Sequence, residues 1–264
     1  MTKGATVAAS AAVCAGLIGI GRASDRRAGR HATATGVAAG LATAYLAGTY
    51  LQNSPLFGRV ARPDGRMGGT EFSLTFDDGP DPRHTVAISA LLADRGHRAT
   101  FFVLGQAARK HPAIVRRLAD DGHEVACHGD DHRLLAFAPP RTVIGQLVAW
   151  EQAVEAALGR PGARLLRTPH GARSPWLVPV AHRRGYAVCG WDGSVFDTAE
   201  PGAAAIVRRV EPLLRPGAVV LLHDGDGSGR GASRAQTVAA LGVVLAAAEL
   251  RGLRSVALGS LLAA

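Results

Sequence analysis

Three short stretches carry side chains whose types and spacing could do hydrolytic chemistry. The first, "LTFDDGPDP" from Leu74 to Pro82, sets Asp77 and Asp78 side by side between an apolar run and a glycine-proline turn. Adjacent carboxylates repel and an unpaired one is costly to bury, so a metal ion or a proton held between them must relieve the pair. The second, "HGDDH" at 128–132, spaces His128 and His132 four residues apart, which on a helical turn brings both imidazoles to one side. Adding a carboxylate from another strand end completes a two-histidine, one-carboxylate set, typical of a catalytic metal with open positions. Asp78 is the obvious third ligand, and its neighbour is then left for other work.

A divalent cation in such an open site lowers the pKa of a water from about 15.7 to about 7 and polarises a carbonyl oxygen. Asp77, beside it, is placed to act as the base. The third stretch, "VVLLHD", ends in His223, the best candidate for a second proton carrier that protonates a leaving amine or alkoxide. Arg167 could pair with Asp77 and hold it ionised. Metal-assisted hydrolysis of an amide or an ester follows from this set.

These residues need a frame, and the pattern along the chain supplies one. Strand-like apolar runs fall at residues 72–76, 99–104, 124–127, 164–166, 187–191, 219–222 and 255–258. Helix-like segments lie between them at 85–95, 113–121, 141–158, 175–184, 203–214 and 234–250, several ending in the glycine expected past a helix terminus, as at Gly96, Gly122 and Gly159. Strands separated by helices pair in parallel through right-handed crossovers. The expected fold is α/β, a distorted (β/α) barrel of about seven parallel strands. An open dinucleotide-binding sheet is disfavoured because no GxGxxG turn follows the first strand. Catalytic groups of such a barrel sit at the C-terminal ends of strands, and the polar residues fall there: Asp77-Asp78, His128, Arg167, Asp192 and His223-Asp224.

The chain has 264 residues and a formal charge of +9, carried almost wholly by arginine, since Lys3 and Lys110 are the only lysines. No dense basic stripe with interleaved aromatics is present, which argues against nucleic acid as a partner. Cys14, Cys127 and Cys189 form no CxxC or disulfide framework. Toward the N-terminus, the charge-free stretch Gly4 to Gly21 and the apolar stretch Ala32 to Leu51 flank a connector with Arg22, Arg26, Arg27 and Arg30. Residues 1–52 therefore read as a membrane anchor of two apolar helices or as an export signal, residues 53–70 as a turn-rich linker, and 71–264 as the catalytic domain. Either reading of the N-terminus sends that domain across the membrane, out of the cytoplasm, and the two-helix anchor would hold it at the cell membrane.

"TFDDGP", "RATFFVLG", the His-x-x-x-His pair, "RTPHG" and "LLHD", in this order, resemble the polysaccharide deacetylases of carbohydrate esterase family 4, which include chitooligosaccharide and peptidoglycan deacetylases. The resemblance covers roughly residues 70–262. It implies a distorted (β/α) barrel, removal of N-acetyl and sometimes O-acetyl groups from chitin, peptidoglycan or similar glycans, and a divalent metal, usually zinc, sometimes cobalt or nickel. It implies Asp77 as base, Asp78, His128 and His132 as metal ligands, His223 as acid and Arg167 as the brace of Asp77. By the same resemblance, Asp197 orients the acid histidine, the backbone near His170 joins in stabilising the oxyanion, and Leu221 lines the pocket for the acetyl methyl.

Three positions depart from the family pattern. Gly129 stands where Ser or Thr is usual, His170 where Tyr is common, and Thr198 where Trp is usual, which bears on the substrate rather than on hydrolysis. Trp176, after "RSP", is a candidate platform for a sugar ring, whereas Trp191 and Cys127 read as core. Asp224 is either a partner of the metal site or a turn residue. The leading reading is a metal-dependent N-deacetylase of a cell-envelope polysaccharide. A deacylase of lipid-linked sugars, an O-acetyl esterase and a glycan-binding module are the alternatives.

Overall fold

The computed structural model describes residues 26–63, 69–227 and 229–263. Strand β1 (Glu71–Asp77) shows how the sheet forms. Its alternation sends Phe72, Leu74 and Phe76 into the main apolar core, while Ser73, Thr75 and Asp77 take the other face. On that face Thr75 donates to the Val220 carbonyl at 2.7 Å and accepts from Arg167 at 2.7 Å, which satisfies its buried hydroxyl.

Along the chain, β1 is followed by α2 (Thr85–Asp94), β2 (Ala99–Val103), α3 (Gly105–Lys110), α4 (Pro112–Asp120), β3 (Glu124–Cys127), α5 (Pro140–Leu158) and β4 (Leu165–Leu166). Then come α6 (Leu177–Arg183), β5 (Ala187–Val188), β6 (Gly193–Ser194), α7 (Ala203–Val210), β7 (Val219–His223), α8 (Ala235–Leu250), β8 (Arg254–Ser255) and α9 (Leu258–Ala263); α1 (Arg26–Tyr50) precedes them all. The strands pair in parallel in the order β5-β4-β3-β2-β1-β7-β6, with β8 added beside the start of β1. The expected barrel is present as seven parallel strands curled into a half-barrel whose ends, β5 and β6, do not pair with each other.

Of the expected run at 187–191 only β5 is strand; β6, beyond the end of that run, was not expected, nor were α3 and α9. Each of these two helices is six residues long, too short for a periodic apolar pattern to show.

The core lies mainly between the strands and the surrounding helices. A smaller cluster inside the curl holds Phe102, Ala126, Leu165, Cys189, Val219 and Leu258. Cys127 is fully buried in the main core, as expected.

The N-terminal part departs from expectation. Helix α1 runs through the second apolar stretch and takes in Arg26, Arg27 and Arg30 of the connector. Among the described residues no helix is long and apolar enough to cross a membrane, so α1 does not bear out the expected second span. The first stretch lies outside the described residues. The turn-rich segment after α1 touches the half-barrel: the Ala61 N–H donates to the Val188 carbonyl at 2.7 Å, extending the free edge of β5.

Candidate active site and metal centre

The C-terminal ends of β1, β3 and β7 converge because β1 lies next to β7 and two places from β3 in the curled sheet. Asp77 is in register with His223 on β7 and with Phe102 on β2. Asp78 follows with φ of +77°, a strained left-handed turn that swings its carboxylate away from the strand. His128 sits just past β3, its N–H bonded to the Val103 carbonyl at 3.0 Å.

Asp78, His128 and His132 each offer one ligand atom, and the three atoms lie within 4.8 Å of one another. The Nε2 atoms of His128 and His132 are 3.3 and 3.0 Å from Asp78 Oδ1, yet that buried oxygen makes no hydrogen bond of acceptable geometry. His128 Nδ1 lies 2.8 Å from the Arg167 carbonyl and must donate to it, which turns the Nε2 lone pair toward the carboxylate. A lone pair facing an unbonded buried carboxylate oxygen is an unfavourable arrangement that a cation between them resolves. The donor set suits zinc, and the residues fit the metal the sequence led us to expect.

Asp77 is held by Arg167, whose Nη1 donates to Oδ1 at 2.8 Å. The guanidinium is fully buried, also donates to the Gly190 carbonyl at 3.1 Å, and rests 4.2 Å from the Phe102 ring centre. Asp77 Oδ2 is 3.9 Å from His128 Nε2, beside the metal centre.

Across from it, His223 Nδ1 lies 2.8 Å from Asp197 Oδ1, and the His223 N–H donates to Asp197 Oδ2 at 2.9 Å. Burial works against the charged imidazole, but the Asp197 contact outweighs it and His223 is pushed up to about 9. Burial likewise disfavours the Asp197 carboxylate, and its bonds from His223 and Thr237 more than offset this, leaving it below the usual range. The Asp197 contact thus favours the charged imidazole, which suits the proton-carrier role expected of His223.

These groups meet around a cavity of about 270 Å³ whose lining includes Asp77, Asp78, His128, His132, His170, Leu221 and His223. Arg167 and Asp197 stand behind it as the partners of Asp77 and His223. The His170 ring packs 4.4 Å from that of His132, on a turn with φ of +58° at His170. Thr198 lines the cavity where the family pattern has Trp, and so does Trp191, read earlier as core. Trp176 does not reach the cavity: its Nε1 donates to the Ala138 carbonyl, behind the loop that carries His132. The expected sugar platform is therefore a brace instead.

Sequence reasoning missed three contributors. Gln146 on α5 accepts with Oε1 from the N–H groups of Asp130 at 2.8 Å and Asp131 at 3.3 Å, steadying the loop where Gly129 lacks a hydroxyl. Gly129 itself has φ of +81°, which any side chain would strain. Thr237 on α8 donates to Asp197 at 2.9 Å. Gly227 approaches so closely that a Cβ there would lie 2.6 Å from His132 Nδ1 and 2.7 Å from Asp78 Oδ1. Glycines in "HDGDG" after an acid histidine were the available signal for this last one.

Asp224 is fully buried, accepting from Thr85 Oγ1 and from the Gly79 N–H at 3.1 Å. It braces the turn after Asp78, and burial together with the Asp78 and Asp77 charges raises it to about 7.

Residues 64–189 match the family model described as polysaccharide deacetylase. A chitooligosaccharide deacetylase of Bradyrhizobium sp. (strain ANU 289) is 36% identical over 205 residues, covering 75% of this chain and 93% of the relative. A peptidoglycan-N-acetylglucosamine deacetylase of Bacillus cereus is 32% identical over 192 residues, covering 72% of this chain and 87% of the relative. A solved structure of a family 4 carbohydrate esterase from Streptomyces lividans, in complex with acetate, superposes with a TM-score of 0.64 at 30% identity, covering 71% of this chain and 92% of that one.

Proposed function

The chain belongs to the polysaccharide deacetylase family, carbohydrate esterase family 4, and from that premise we propose that it is a metal-dependent hydrolase removing N-acetyl groups from a cell-envelope polysaccharide, a chitin-like glycan or peptidoglycan. One observation carries the reading: the Asp78, His128 and His132 cluster opens onto the same cavity as the Asp77–Arg167 and His223–Asp197 pairs. A glycan-binding module has no use for two proton carriers, each held by its own counter-ion.

A divalent cation, best suited as zinc, supplies Lewis-acid polarisation of the acetyl carbonyl and acidifies a water beside it. Asp77 takes the proton from the attacking water at Oδ2, because Oδ1 is committed to Arg167. His223 delivers a proton from Nε2 to the departing amine, its Nδ1 being held by Asp197. Asp197 stays ionised throughout and keeps the imidazole in one orientation. Leu221 gives the acetyl methyl an apolar wall, and the backbone at His170 faces the carbonyl oxygen as charge develops there. The N-terminal stretch Gly4 to Gly21, with Lys3 before it and arginines after it, supports action outside the cytoplasm.

The test is acetate release by the full chain from acetylated chitooligosaccharides and from peptidoglycan, with zinc, with chelator and with Asp77→Asn. Metal-dependent release that is lost in the variant is expected. Release that survives both chelator and Asp77→Asn overturns the proposal.

A further inference from the structure

Resting on that reading, we propose that residues 45–62, which precede the half-barrel, are a positioning element of the active site, clamping the three loops that carry His132, His170 and Trp191. Each loop is reached separately. Tyr45 donates its hydroxyl to the Ala136 carbonyl at 3.0 Å and stacks on Phe137 at 5.9 Å, both on the loop running from His132 into α5. Gln52 Nε2 donates to the Gly171 carbonyl at 3.2 Å, immediately after His170. Asn53 Nδ2 donates to the Trp191 carbonyl at 3.0 Å, and the Trp191 ring lies 5.4 Å from the guanidinium that holds Asp77.

Arg173 shows that the contact is built in rather than incidental. Three residues past His170, it is only 2% exposed, and its guanidinium donates to the Ser54 carbonyl at 3.0 Å and to the Leu51 carbonyl. Its N–H donates to the Thr49 carbonyl at 3.1 Å. Burial lowers its pKa, and among the described residues no carboxylate opposes the shift. Burying a guanidinium against carbonyls alone is a poor way to gain stability, since the desolvation cost is not returned by an opposite charge. It does fix the path of both chains at once. At the far end, Ala61 extends β5, and Arg62 lies 2.5 Å from Asp192 beside the gap between β5 and β6.

Most of these bonds end on backbone carbonyls, so they set where each loop runs rather than what chemistry it does. An error in loop position of about 1 Å costs turnover about a hundredfold without unfolding the protein. The segment therefore ties whatever lies N-terminal to it to the geometry around His132 and His170.

The experiment uses the full chain as wild type, Gln52→Ala/Asn53→Ala and Tyr45→Ala, each measured three ways. The readouts are kcat and KM for acetate release, the visible spectrum of the cobalt(II)-loaded protein, and thermal unfolding. For Gln52→Ala/Asn53→Ala the expected result is a kcat lower by about tenfold with KM within about twofold, and a folded protein at the assay temperature. For Tyr45→Ala the cobalt bands shift, because the loop bearing His132 is released. Unchanged kcat together with an unchanged cobalt spectrum overturns the inference, as does a loss of activity that only follows the unfolded fraction. A wild type that binds cobalt but releases no acetate overturns the deacetylase reading instead, and the Tyr45→Ala spectrum then decides the positioning role by itself.

Discussion

Arg167 holds both halves of the chemistry: its carbonyl lies 2.8 Å from His128 Nδ1, and its guanidinium lies 2.8 Å from Asp77 Oδ1. One residue just past β4 thus sets the tautomer of the candidate metal ligand His128 through its backbone and the orientation of Asp77, the proposed base, through its side chain. The two roles separate under substitution, because only the second depends on the side chain.

Arg167→Lys keeps the charge but loses the fork that spans Thr75 Oγ1, Asp77 Oδ1 and the Gly190 carbonyl. The expected outcome is a kcat lower by about a hundredfold with metal affinity retained, because the His128 contact is unaltered. Arg167→Ala should in addition destabilise the fold by about 3–5 kcal/mol, since it strands a buried carboxylate. Steady-state kinetics, metal titration and chemical unfolding of both variants check this.

The His223–Asp197 pair sets the alkaline limb. With His223 raised to about 9, it remains an acid over the neutral range, and kcat/KM should fall as pH rises through about 9. Asp197→Asn removes the charge that outweighs burial, so the limb should move down by more than about one unit. The stability sign follows from the raised value. The pair's contribution is fully present below the ordinary histidine pKa of about 6.5 and is lost as pH rises through about 9. Unfolding of wild type and Asp197→Asn should therefore differ most in mild acid and converge in alkali.

The metal-ligand loop can be loosened from behind or crowded from in front. Gln146→Ala leaves the Asp130 and Asp131 N–H groups without their acceptor, and metal affinity should fall about 10–100-fold. Gln146→Glu, which keeps the acceptor, should restore most of it. Gly227→Ala places a methyl 2.7 Å from Asp78 Oδ1 and should also weaken binding by at least about tenfold. Competition with a chromogenic chelator measures all three.

Much of the frame was legible because it rests on local periodicity. The alternation in "EFSLTFD" by itself decides that Asp77 shares a face with Thr75 and not with Phe76. The helix after β1 and those on either side of β3 were expected to within two residues. The shortness of β5 and the presence of β6 at 193–194 were not legible, because a two-residue strand is recognised by its partner rather than by its own residues. Hydropathy also misled at Ala32 to Leu51, an apolar, alanine-rich stretch that reads as a span but of whose described residues only Gly48 and Thr49, near its C-terminal end, are buried.

The chemistry on offer is written in local order along the chain: adjacent carboxylates after a buried run, histidines four apart, and a further histidine closing another strand. Those are relationships within a few residues; the strand alternation held, whereas 128–132 is an irregular loop with φ of +60° at His132 instead of the helical turn expected from the spacing. Tertiary structure decided who supports them. Gln146 reaches its loop across 16 residues of chain, Thr237 reaches Asp197 across 40, and Gln52 reaches Gly171 across 119. It also diverted Trp176 from the cavity to the Ala138 carbonyl. Which distant groups meet depends on how helices pack on the curled sheet, and no local spacing encodes that packing.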